Sequence, residues 1–159
     1  MHALRIAFVC LALVSAGCQK PVDLKQALQI TDVSTGWFDA GIVAGRNKVV
    51  PSVTFKLKKT PGTDLSWVSL NGVFSMVDGQ PSDLDDDIYV QRVDFTGDQT
   101  APITIQGTTG YTGDPPQSRA DLLRHTQFRD MKVKVFVKQS SSQWVQLNET
   151  PIVRQLLTR

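Results

Sequence analysis

Alternation of apolar and polar residues at a period of two constrains this chain more than any other feature. Val53, Phe55 and Leu57 alternate with Ser52, Thr54, Lys56 and Lys58, which turns one face of an extended segment to a core and the other to water. The period returns in residues 65–77, where Val68, Leu70, Phe74 and Met76 share a parity, in 88–95 and 103–105, and in 132–138, where Val133, Val135 and Val137 point one way. Asn71-Gly72 inside residues 65–77 is a strong hairpin signal. Parity favours a single strand there, because a hairpin would mix Ser69 and Ser75 into apolar faces. Residues 144–147 read as the hairpin partner of 132–138. Residues 107–117, rich in Gly, Thr and Pro, read as a loop, and so do residues 41–46. Ser118 and Asp121 have capping-box spacing and open a short helix to about His125. Residues 151–157 fit either a helix begun at Thr150-Pro151 or a last edge strand. About seven short strands and one small helix predict a mainly β fold, an antiparallel immunoglobulin-like β-sandwich.

The amino terminus follows different rules. Arg5 precedes an apolar run from Ile6 to Val14 that is too short to span a bilayer, and Ser15-Ala16-Gly17 forms a small-residue cleavage site before Cys18. This segment resembles the lipobox of lipoprotein signal peptides. The resemblance implies diacylglycerol on the Cys18 thiol, cleavage before it, and a further acyl chain, palmitate for example, on the freed amine. Gln19 in place of Asp resembles the outer-membrane sorting choice. Residues 1–17 are then a signal peptide and 18–26 a short tether; Gln19 to Gln26 reach at most about 27 Å. Residues 27–159 form one domain, which must hold together without a disulfide because Cys10 leaves with the signal and Cys18 takes the lipid.

Four stretches also resemble small uncharacterised lipoproteins of Gram-negative bacteria: Thr35-Gly-Trp-Phe-Asp-Ala-Gly41, Val50-Pro-Ser-Val-Thr-Phe-Lys-Leu-Lys58, Gly110-Tyr-Thr-Gly113 and Pro151-Ile-Val-Arg-Gln-Leu-Leu157. That likeness implies the cell envelope and no particular chemistry.

Charge excludes a nucleic-acid partner, since 17 Lys and Arg stand against 15 Asp and Glu with no basic stripe. His125 is the one histidine outside the signal segment, so a two-histidine metal site is excluded. Ser118, Asp121 and Asp130 lie near it, but without a nucleophile elbow, and it reads as a surface histidine at a helix end. Asp83, Asp85, Asp86 and Asp87 are weak calcium candidates, because Ile88 stands where an EF-hand needs glycine. Glu149 is the only glutamate among the acids, and no spacing marks an acid and base pair. The glycines of 41–45 and 107–113 lack the setting of a phosphate loop. No cofactor is expected. A non-catalytic binding or assembly module on an envelope protein is the leading expectation, with an envelope hydrolase or a purely structural lipoprotein as alternatives.

Parity outward gives the candidate site. If Val68, Leu70, Val133, Val135, Val145 and Leu147 face the core, Trp67, Phe136 and Trp144 face away from it, with Lys134 and Lys138 beside them. Aromatics with cationic neighbours are enriched at interfaces. The competing possibility is that Ile152, Val153, Leu156 and Leu157 fold back and cover them. The mature chain is expected to begin at a lipid-modified Cys18, which mass spectrometry of its amino terminus checks. An unmodified start elsewhere, or normal processing of Cys18→Ala, contradicts it.

Overall fold

In the computed structural model, which describes residues 22–158, the Asp23 carboxylate accepts from the amides of Lys25 and Gln26 and caps a single turn, α1 (Leu24–Ala27). The lipobox and Cys18 lie outside the described residues. Leu24 and Ala27 are already buried, so packing onto the core begins at the first turn. A hairpin of two long strands follows, β1 (Leu28–Val43) and β2 (Arg46–Lys59). Ala44 and Gly45 join them, both at positive φ, the backbone a tight two-residue turn requires. The expected loop over 41–46 therefore shrinks to its tip. Two register shifts, between Thr31 and Ser34 and between Asp39 and Gly41, break the parity of β1 and hide it from a period-two reading.

The remaining strands are β3 (Trp67–Met76), β4 (Asp86–Thr96), β5 (Gln99–Thr100), β6 (Ile103–Gln106), β7 (Tyr111–Gly113), β8 (Met131–Lys138), β9 (Val145–Pro151) and β10 (Leu156–Leu157), with α2 (Arg119–Leu122) before β8. The fold is mainly β. Its order is β10-β1-β2-β5-β4-β3-β8-β9, with β6 and β7 also on β2. Two expectations are corrected. The sheet is mixed and not purely antiparallel, because β10 runs parallel to β1. It is also continuous, since the β4–β5 pairing joins its halves into one curled sheet. The loop over 107–117 contains β7, which lies on β2 through Asn47, Lys48 and Val49. The helix at Ser118 is shorter than expected: the amides of Arg124 and His125 donate three residues back, to Asp121 and Leu122, which tightens and ends it. Its capping box is present, Ser118 accepting from the Asp121 amide and Asp121 from the Ser118 amide. Residues 151–157 contain no helix: Pro151 ends β9 and Leu156–Leu157 alone form a last edge strand, where the Trp37 amide donates to the Gln155 carbonyl at 2.8 Å and seats β10 beside β1.

Residues 65–77 hold a single strand, and Asn71-Gly72 is no turn. Gly72 sits in the middle of β3, paired with Ile88 of β4 on one side and Val135 of β8 on the other, where a Cβ would lie 2.9 Å from Cγ2 of Ile105. Its lack of a side chain lets β6 cross closely over β3. Val53, Phe55 and Leu57 of β2, Ile105, and the inward residues of β3 and β8 share one core. Gly72→Ala is expected to cost about 1–3 kcal/mol through overpacking, read by urea unfolding. Combined with Ile105→Ala it is expected to cost less than the sum of the two single changes, because they share one contact.

Candidate functional site

β8 alternates strictly: Met131, Val133, Val135 and Val137 are buried, while Lys132, Lys134, Phe136 and Lys138 lie on the outer face. β3 puts Trp67, Ser69, Asn71, Val73 and Ser75 on that same face, with Ser69 opposite Lys138 and Asn71 opposite Phe136. Trp144 precedes β9, whose Val145 pairs with buried Val137. All five residues singled out from parity, Trp67, Lys134, Phe136, Lys138 and Trp144, thus share the outer face of β3, β8 and β9. The closing segment does not cover them: it runs along β1 with Ile152 buried and Val153 exposed.

The rings are ordered by cations. Lys138 Nζ stands 4.7 Å from the Trp144 ring centroid and the Arg92 guanidinium 5.1 Å from that of Trp67, distances at which the ring quadrupole attracts a cation. Arg92 is also held by Asp94 at 2.7 Å. Lys134 is less available, because Glu149 lies 3.8 Å away and also binds Lys132 at 2.9 Å. The Lys132 hydrogen bond holds the Glu149 carboxyl below its ordinary value. Lys138 has no carboxylate partner among the described residues.

Besides Arg92, period-two reading missed two members of this face. Tyr89, 59% exposed, packs against Trp144 with ring centroids 6.0 Å apart. Its hydroxyl donates to Asp87 at 3.0 Å, and that bond raises its pKa above the ordinary value. Its position between inward Ile88 and Val90 was the available signal. Asn71 is buried between Tyr89 and Phe136, and its Oδ1 has no hydrogen-bond partner among the described residues. A shallow hollow of about 230 Å³ lined by Ser69, Tyr89, Gln91, Lys138 and Trp144 opens on this face, below the roughly 300 Å³ at which small-molecule clefts begin. The face suits contact with a larger surface better than capture of a small molecule.

The other candidates are separated by the fold. His125 is exposed and its Nδ1 accepts from the Gln127 amide at 3.2 Å. Ser118 Oγ donates to Asp121 within the capping box at 2.5 Å, and Asp130 accepts from Arg154 at 2.6 Å. Neither acid orients the histidine. The acidic turn also divides its labour: Asp85 accepts from the Ser82 amide, Asp87 from Tyr89, and Asp86 from Thr108 and Thr109 across the sheet. Asp83, Asp85 and Asp87 form no metal-ligating group, and none of three or more His, Cys, Asp or Glu occurs among the described residues.

Asp86 pins the 107–110 loop. Burial raises its pKa, but donation from the amides of Thr108 and Thr109 and the Thr108 hydroxyl outweighs this and leaves it below the ordinary 3.8. The folded state therefore binds this proton less readily than the unfolded chain. The associated stability is full above about pH 4 and is lost as pH falls through the depressed value. Asp86→Asn is expected to lower stability at pH 7 by about 1.5 kcal/mol, the low end for bonds to a charged acceptor. It is also expected to flatten the loss of stability below pH 4, measured by denaturant unfolding across pH.

Compared with family models, with curated proteins and with solved structures, the chain matches none.

Proposed function

We propose that this chain is a lipoprotein of the cell envelope, held to the outer membrane by lipid on Cys18 and facing the periplasm. It works there as a non-catalytic binding or assembly module for another envelope protein. The observation that carries this reading is the aromatic and cationic outer face of β4, β3, β8 and β9, which no other segment of the described chain covers. An uncovered patch of this kind on a folded domain marks a contact surface more often than chance exposure does, and aromatic side chains such as Tyr89 and Phe136 in its middle are enriched at protein interfaces. On this reading the curled sheet serves as an immunoglobulin-like sandwich does, as a rigid support that presents one face. Support for the anchor is the agreement of Arg5, the apolar run and the small residues before Cys18.

Crosslinking in intact envelopes followed by detergent extraction tests the module reading. Tyr89→Ser and Phe136→Ser, both in the middle of the face, are expected to remove a crosslinked envelope protein while the unfolding midpoint of Tyr89→Ser stays within a few degrees of the parent. Recovery of the same partners from both variants overturns the assignment of this face. Absence of any partner from the parent chain favours a purely structural role.

A further inference from the structure

The strand pairings define one end of the domain. Gln29 pairs with Lys58, Lys58 with Gln99 and Gln99 with Thr96. The Phe95 amide donates to Ser66, Trp67 pairs with Asp94, and Ser69 pairs with Lys138, two residues beyond Trp67. The curl closes in step, because Thr35 Oγ1 donates to the Pro151 carbonyl at 2.9 Å, which lies down-chain from Leu28 in β1 and from Val145 in β9. α1 itself lies against β9. Trp67, Trp144, Arg92 and Lys138 therefore stand at the end where the chain enters the domain.

Cys18 precedes Val22 by four positions, at most about 14 Å of extended chain. The acidic turn with Asp78, Asp83, Asp85, Asp86 and Asp87 lies at the other end of β3, whose ten residues span about 30 Å. We infer that the end bearing Trp67 and Trp144 rests on the bilayer, with both indoles at the headgroup level. This rests on the proposed lipid at Cys18. A tether that short keeps this end against the membrane, and amphipathic rings are the side chains that settle at a membrane interface. Arg92 and Lys138 lie over these rings with long stems, as cations that reach for headgroups do. Asp23, Asp64, Asp94 and Asp98 offset the cations of this end, so the indoles and not net charge supply the attachment. The five acids of the far turn point away from the lipid, and the middle of the face, at Tyr89 and Phe136, stays open to a protein partner.

The full acylated protein, reconstituted in phosphatidylcholine vesicles whose acyl chains carry bromine near the headgroup, tests this. Tryptophan emission is expected to be quenched, and most of the quenching to be lost in the Trp67→Phe/Trp144→Phe double variant, whose remaining Trp37 is 0% exposed. Should that variant unfold, fluorophores on Ser141→Cys and Asp83→Cys replace it, and only the Ser141 label is expected to be quenched. Acylated protein that enters the vesicles with neither its tryptophans nor the Ser141 label quenched overturns this inference alone. So does loss of the crosslinked envelope protein on changing Trp67 and Trp144. Protein with an unmodified amino terminus that stays out of the vesicles overturns the lipoprotein reading as well.

Discussion

Burial of the inward side chains of β2 against those of β3 and β8 is the interaction the rest of the structure depends on. Val53, Phe55 and Leu57 are at most 1% exposed, and Leu70, Phe74, Val133 and Val137 are fully enclosed. No disulfide is available to the described residues, so apolar burial must supply what a covalent staple would. β2 holds β1 along one edge and β5, β6 and β7 along the other. Its apolar face thus fixes the inner surface of half the sheet, and the curl follows from closing that half over the other.

The mainly β character was legible because β2, β3 and β8 each obey a clean period of two. What stayed hidden has local physical causes. The register shifts of β1 displace its parity, so its sixteen residues carry no readable stripe. β7 owes its place to pairing with β2 and has only three residues, too few for a pattern. Asn71-Gly72 follows turn chemistry locally, yet Ile105 decides its state from across the core. The parallel arrival of β10 depends on contacts about 119 positions apart, as between Trp37 and Leu156, and no local signal encodes such a partner.

The contact face was readable to the extent that alternation reaches it. Trp67, Phe136 and Trp144 came out of parity because their neighbours are unmistakable core residues. Arg92 did not, because the shift between Val68 and Leu70 along the β3–β4 ladder breaks the parity of β4 beside it. The capping box at Ser118 was legible for the opposite reason, since its two partners are three residues apart. Asp86 looked like one acid among four, and only its long reach to Thr108 and Thr109 distinguishes it.

The parallel pairing of β1 with β10 also bears on how the domain reaches its final state. A chain that emerges amino terminus first presents β1 and β2 early, as a hairpin with local contacts, while the outer edge of β1 near Trp37 waits for the distant β10. Until Leu156 and Leu157 arrive, that edge shows unsatisfied amides and carbonyls, the template on which a stray strand adds. Pairings between distant segments are also the slow ones to form. Emergence in chain order thus leaves a window in which the half-built sheet is sticky, and its closing stitch is the short run from Gln155 to Leu157.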